Sequence, residues 1–446
     1  MTQGVKPANF RQKLSLALGH VVECYDSTIY GFFAVMLAPL FFPPTAGRYG
    51  QLAASFGAFA AGFLARPLGA MVFGAIGDKL GRRKALLWSI VLVGIPTLII
   101  GLTPSYNDIG MIATWSVVLA RLAQGFFYGA EYAGINLYLC ETTERGQRHE
   151  ATSSMISVGF LGAMLAMALG AVATHPSMPE WGWRVPFVAG GIAAFGVYWL
   201  RRNLSESPEF ESAHELSENV VRESYRYIWR SIRVFCTAML LAGMCAAPLY
   251  ISTVFGNQLL KQGGLSSASI LWTNFFIMGV AGLTVFVSGR IFSGSDETSA
   301  IKKALLAWIS LGGLSFAVLT CPYGWCDLES VTLFGPENFL VALTFMTMIT
   351  IASQTLTGCV MPYINQLFDV RYRYTSMALA ISLGYALLAG TTPNVALWLV
   401  NTPVLPTAGK GFVTIFWFWL LPLFALSYGL VTIQSKKTLR IAQHFS

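Results

Sequence analysis

Two carboxylates lie where hydrocarbon is expected. Glu23 and Asp26 fall inside the first long apolar run, residues 14–42. An ionisable group near the middle of a membrane helix costs a few kcal/mol, so it marks a functional site by default. The two acids are three residues apart, which puts them on one helix face with Tyr30 a turn beyond. Arg66, Arg121 and Glu131 are the other ionisable residues expected to be buried within a span. At the helical rise, Asp26 lies roughly 18 Å from the inner end of its span and Arg121 roughly 16 Å from the outer end of its own, so both approach mid-membrane. Glu23, Arg66 and Glu131 make a second layer nearer the inner face.

Three acids facing two arginines leave one carboxylate without a permanent cation, and such a group in a low-dielectric cavity favours its protonated form. Two chemistries fit this set. In one, Asp26 or Glu23 exchanges a proton while Arg121 alternates between that carboxylate and an anionic group of a substrate. In the other, a static ion-pair network staples the first, second and fourth spans together. His20 is expected to snorkel towards the inner interface.

The elements that must hold these groups are membrane helices. The chain has 446 residues, 55% hydrophobic and 11% charged, with a mean hydropathy of +0.59. Soluble domains carry about a quarter charged residues. Twelve apolar runs of spanning length follow one another: 14–42, 51–77, 84–103, 110–140, 150–173, 185–201, 231–256, 268–292, 301–320, 338–361, 375–400 and 411–434. Their length and the lack of period-two alternation exclude a barrel and leave an all-α membrane protein. Of the Lys and Arg residues, 23 fall on alternate loops and tails assigned to the inner side and 4 on the outer side. That is the positive-inside pattern, with both termini cytoplasmic. The net charge of +8 therefore encodes topology and not nucleic-acid binding. Met1–Lys13 reads as an uncleaved cytoplasmic tail.

Residues 202–230 form a charged cytoplasmic linker, dividing an N-terminal six-helix bundle (1–201) from a C-terminal one (231–446). Its later part, Val220 to Ile232, reads as a surface helix. The second bundle offers neutral polar groups and aromatics. Gln354 and Tyr385 are candidate substrate contacts there, with Asn394 beyond the Gly390-Thr391-Thr392-Pro393 break. Tyr30, Arg66, Arg121, Gln124 and Tyr128 are the candidates from the first bundle. Cys321 and Cys326 share one outer loop, placed either to pair in an oxidising compartment or to stay free thiols. No nucleophile–base pair, metal-ligand spacing or phosphate loop is present, so neither an enzyme nor a cofactor is expected.

After the second span comes Gly74-Ala75-Ile76-Gly77-Asp78-Lys79-Leu80-Gly81-Arg82-Arg83-Lys84. This resembles the helix 2–3 signature of the major facilitator superfamily, G-x-x-x-D-[RK]-x-G-R-[RK]. The resemblance makes Gly74, Asp78, Gly81, Arg82 and Arg83 a conformational latch. Glu23-Cys24-Tyr25-Asp26, Tyr30-Gly31-Phe32, Arg66-Pro67-Leu68-Gly69 and Arg121-Leu122-Ala123-Gln124-Gly125 are similar to the metabolite:proton symporters. So are Gly129-Ala130-Glu131-Tyr132 and Trp181-Gly182-Trp183-Arg184. That family includes proline/betaine, citrate, α-ketoglutarate and shikimate permeases. It implies twelve helices, alternating access and proton-coupled import of a small polar metabolite across a bacterial inner membrane. The partners it implies are the solute, protons and lipid. Cys24 stands where the family usually has Trp, and Gly289 to Asp296 lack the second copy of the loop signature. Because a fold does not fix direction or cargo, export or exchange on the same scaffold is the alternative. A non-transporting receptor would need no titrating carboxylate.

Overall fold

A computed structural model describes residues 10–80, 82–129, 131–202, 220–320, 339–369, 372–401 and 421–444. Among these residues the regular structure is helical throughout, as a chain in hydrocarbon requires when each segment must satisfy its own backbone. The first half holds α1 (Phe10–Phe41), α2 (Gly47–Leu80), α3 (Arg82–Leu102) and a short α4 (Tyr106–Ile109). The fourth span is α5 (Met111–Tyr128) followed by α6 (Glu131–Thr142), then come α7 (Arg148–Ala173) and α8 (Arg184–Arg201).

The linker contributes α9 (Val220–Arg230). The seventh span is α10 (Ile232–Tyr250), a π-turn at Ile251–Phe255 and α11 (Gly256–Gln262). Then follow α12 (Ser267–Ile291), α13 (Glu297–Thr320) and α14 (Phe339–Leu367). The eleventh span is α15 (Arg373–Gly384), a π-turn at Tyr385–Ala389 and α16 (Thr392–Asn401), and α17 (Leu421–His444) is last. Over the described residues, each expected span thus falls largely on helix, the twelfth from Leu421 onward. Among the described residues seven segments are long and apolar enough to cross a membrane: Leu14–Phe41, Pro44–Gly74, Arg148–Ala173, Ile232–Gln262, Ser267–Ile291, Phe339–Leu367 and Arg373–Trp398. Trp88, Leu102, Trp115, Leu161, Trp199, Leu283 and Ile291 are exposed, the outward apolar face that lipid solvates.

Glycine sets how close the helices come in the first half. A Cβ on Gly125 of α5 would lie 1.6 Å from the Gly62 carbonyl oxygen of α2. One on Gly69 would lie 1.6 Å from the Phe126 carbonyl oxygen. With no side chain at these crossings, α2 and α5 meet backbone to backbone, which also brings Arg66 and Arg121 to one place.

Contacts between residues before and after the linker run along α7 with α12 and α2 with α15. Ser157 donates to the Gly282 carbonyl at 2.8 Å, Ser382 to the Gly129 carbonyl at 2.9 Å and the Asn257 amide to the Phe32 carbonyl at 3.3 Å. Arg290 pairs with Glu150 at 3.3 Å, and the Gly294 N–H donates to the Gly146 carbonyl at 3.1 Å. The expected surface helix is α9, docked by Tyr227 stacked on Tyr372 with centroids 5.0 Å apart.

Candidate functional site

Asp26 is 1% exposed and Arg121 3%, so the candidate site is a closed interior. Tyr128, one α5 turn beyond Gln124, donates its hydroxyl to Asp26 Oδ2 at 2.6 Å. The Gln124 amide donates to the same oxygen at 3.4 Å and to the Thr97 hydroxyl of α3 at 2.7 Å. Oδ1 has no hydrogen-bond partner among the described residues. Asp26 is therefore held by neutral donors at one oxygen and left open at the other.

Arg121 does not reach Asp26 directly. Its Nη1 donates to Gln124 Oε1 at 2.8 Å, and its guanidinium lies 4.6 Å over the Tyr30 ring. Among the described residues no carboxylate is within ion-pair distance of either Arg121 or Arg66. Arg66 rests instead over Phe63 at 4.2 Å, with the Tyr128 ring at 5.6 Å and the Tyr385 ring at 5.9 Å. Cation–π contacts suit a desolvated guanidinium but leave its charge uncompensated. The static ion-pair network that the composition allowed is not what joins Asp26 to Arg121: Gln124 is a hydrogen-bonded relay between them.

Glu23 and His20 form a separate pair, with His20 Nδ1 3.0 Å from Glu23 Oε2. His20 does not snorkel. It is 1% exposed, because Glu23 supplies a buried partner and Gly159 of α7 leaves room for the ring. Glu131, also buried, accepts from the Ser89 hydroxyl at 3.2 Å. Tyr30 is fully buried, its hydroxyl 3.4 Å from the Ser55 carbonyl oxygen.

The second half contributes unequally. Tyr385 lies in the π-turn and faces the Tyr132 ring at 6.0 Å. With Arg66, Tyr128, Tyr132, Gly129 and Ser382 it lines a small cavity between the halves. Gln354 lies elsewhere, its amide donating to the Cys245 carbonyl at 3.4 Å and to the Ser353 hydroxyl at 3.1 Å. Asn394 is half-buried on α16 and does not line the cavity. The irregular turn falls just before the Gly390 break. Gly390 packs on Phe63, where a Cβ would lie 2.6 Å from the Phe63 Cβ.

Of the latch positions, Gly74 is buried near Thr375 of α15. Gly81 and the side chains of Asp78, Arg82 and Arg83 lie outside the described residues, as do Cys321 and Cys326.

Sequence reasoning missed an aromatic cluster that closes the centre. Tyr250 of α10 meets Phe59 at 5.3 Å and Phe63 at 5.5 Å, both edge-on. Phe59, Phe63 and Arg66 recur at helical spacing, a signal that was available. Nothing local points to Thr97 or to the π-turn after Pro248.

A family model described as Major Facilitator Superfamily matches residues 16–393. The citrate-proton symporter of Klebsiella pneumoniae is 30% identical over 401 residues, covering 87% of this chain and 85% of that one. A glycine betaine/proline/ectoine/pipecolic acid transporter of Dickeya dadantii is 30% identical over 410 residues, covering 86% and 76%. The proline/betaine transporter of Escherichia coli is 29% identical over 410 residues, covering 86% and 77%. Among solved structures, the E. coli xylose transporter XylE in a partially occluded inward open conformation matches with a TM-score of 0.67, 14% identity and coverage of 96% and 97%. The human organic anion transporter MFSD10 matches with a TM-score of 0.66, 16% identity and coverage of 96% and 100%. At such identities these last two likenesses are of fold.

Proposed function

The chain belongs to the major facilitator superfamily and is a multi-pass membrane transporter, and from that premise we propose that it is proton-coupled, as the citrate-proton symporter is, and that its interior links proton to cargo. Asp26 carries the coupled proton. Arg121 and Arg66 take the carboxylate of a small organic anion or zwitterion, with Tyr30, Tyr128 and Tyr385 around it. The observation that carries this reading is the Asp26–Gln124–Arg121 relay. With Asp26 ionised, Gln124 is held between carboxylate and guanidinium. A proton on Asp26 weakens it as an acceptor, releases the amide and leaves Arg121 free to bind a carboxylate. Cargo and proton then enter together, which is the thermodynamic content of symport.

Residues 1–201 and 231–446 are the two bodies that rock about the site, with 202–230 as their cytoplasmic linker. The charge bias supports both termini in the cytoplasm, and the bacterial relatives support an inner membrane. Citrate and proline or glycine betaine, handled by the relatives named above, are the cargoes to test first. Two guanidiniums without carboxylate partners favour the anion.

The test is uptake of labelled citrate, proline and glycine betaine into proteoliposomes under an imposed pH gradient. The wild type accumulates one of them, and Asp26→Asn lowers gradient-driven accumulation by about 100-fold, the scale of losing one buried charge–dipole interaction. Undiminished accumulation by Asp26→Asn would refute the proton assignment.

A further inference from the structure

We infer that His20 and Glu23 together form a second proton-holding station, which receives the proton from Asp26 and hands it to the cytoplasmic side. This rests on the reading of Asp26 above and adds the route by which its proton leaves.

The geometry is a shallow spiral along α1, each step turning about 60° around the axis. His20, Glu23 and Asp26 follow at intervals of three residues, each step about 4.5 Å along the axis. His20 Nδ1 is 3.0 Å from Glu23 Oε2, and both side chains are buried. Above them, the Tyr128 hydroxyl donates to the Asp26 carboxyl at Oδ2, 2.6 Å away, and lies 3.4 Å from the backbone carbonyl oxygen of Glu23. In this proposal the step between the two carboxyl groups runs through a bridging water.

A buried carboxylate is expensive to keep without a cation or a proton, and an imidazole beside it supplies either. The surroundings of the ring leave it no competing role. From its own helix it meets Glu23 and the Cys24 thiol, whose Sγ is 3.6 Å from Nε2. From α6 it meets the Tyr132 ring at 6.0 Å. From α7 it meets Gly159, which has no titratable group and whose Cβ, if added, would lie 2.6 Å from Nε2. Arg66 and Arg121 are occupied with aromatic rings and Gln124.

The proton count is simple. Asp26 gives up its proton and becomes a carboxylate. The imidazole gains it and becomes an imidazolium beside ionised Glu23. The imidazolium then releases the proton to cytoplasmic water and returns to neutral. No other bond changes.

Two measurements on the full chain test the proposal. In the first, the five histidines are labelled with ¹⁵N and the purified protein is titrated from about pH 5 to about pH 9, the range in which imidazoles exchange protons. The resonance missing from His20→Gln belongs to His20. It should pass between neutral and imidazolium forms, with a midpoint that Glu23→Gln and Asp26→Asn both move. A His20 signal that stays neutral throughout overturns the proposal, whatever the cargo.

The second measurement uses labelled citrate, proline and glycine betaine in proteoliposomes and follows whichever the wild type accumulates. His20→Gln should lower gradient-driven accumulation at least tenfold while exchange, which needs no net proton release, stays within twofold. Glu23→Gln, which keeps the ring and removes its acceptor, should behave alike. Accumulation by His20→Gln at the wild-type level overturns the proposal, and equal loss of exchange and accumulation in both variants makes the pair structural and overturns it too. Asp26→Asn in the same assay separates the readings. If it alone loses accumulation, only this inference fails; if it accumulates normally, the coupling role of Asp26 fails first.

Discussion

The two halves of the molecule bury polarity in different ways. Among the described residues, every buried Asp, Glu, Arg or His side chain belongs to the first half: His20, Glu23, Asp26, Arg121, Glu131 and His149. The second half buries amides and hydroxyls, such as Asn257, Asn274, Ser353, Gln354 and Asn365. In the second half some of these groups satisfy one another or the backbone, as the Asn274 amide does with Asn257 and Ser353 does with the Cys245 carbonyl, and the atoms left over there, Asn274 Oδ1 and Asn365 Nδ2, are neutral. In the first half the arginines find aromatic faces and Asp26 keeps one oxygen open. A satisfied amide has nothing left to exchange with a cargo or a proton, whereas an uncompensated charge does. On the reading proposed above, the first half does the electrostatic work and the second is the surface it moves against.

The largest test of that contrast is Arg121→Lys. Lysine keeps the charge but loses the planar fork, and with it both the Gln124 bond and the stacking on Tyr30. The transport kcat/KM should fall by about 100-fold, the scale of disrupting a buried charge-assisted contact. Gln354→Ala in the other half should change the same quantity by no more than about threefold, since its amide is already bound to Cys245 and Ser353. A loss from Gln354→Ala as large as that from Arg121→Lys would break the contrast.

The smallest effect is a control on pH. Asp108, fully exposed in the short helix α4, accepts from the Ser105 hydroxyl at 2.7 Å and the Ser105 N–H at 2.9 Å, and those bonds hold its carboxyl below the usual range. A depressed carboxyl stabilises the folded loop above its unfolded value, and that contribution is lost as pH falls through the folded one. Thermal midpoints of wild type and Asp108→Asn should therefore differ slightly at neutral pH and converge in strong acid. A pH profile of transport that moved with Asp108→Asn would put part of the titration outside the buried site.

The spans and the buried acids were legible because both are written in local composition. Apolar runs of fixed length give the helices, and a charge inside one announces itself. Pairing was less legible. Counting three acids against two arginines led to ion pairs or a free acid, but the partners of Arg66 are rings, and of these only Phe63 stands at helical spacing from it, while Tyr128 and Tyr385 come from other elements that no spacing rule connects. His20 was misplaced for a similar reason, since its burial depends on Gly159, far away in the chain. An unwound turn was expected at Gly390 to Asn394, where Gly, Thr and Pro crowd together, and the π-turn lies just before it, at Tyr385–Ala389. Pro248 lies just before Ile251–Phe255 and gave no comparable cluster.

The glycine crossings of α2 and α5 fix more than packing. With Gly125 on the Gly62 carbonyl and Gly69 on that of Phe126, the two helices cannot slide past each other without backbone collision. Arg66 and Arg121 are mounted on this one welded frame. The backbone mounts of the two cations are thus held at a set spacing, and only the swing of their side chains adapts the site to a solute.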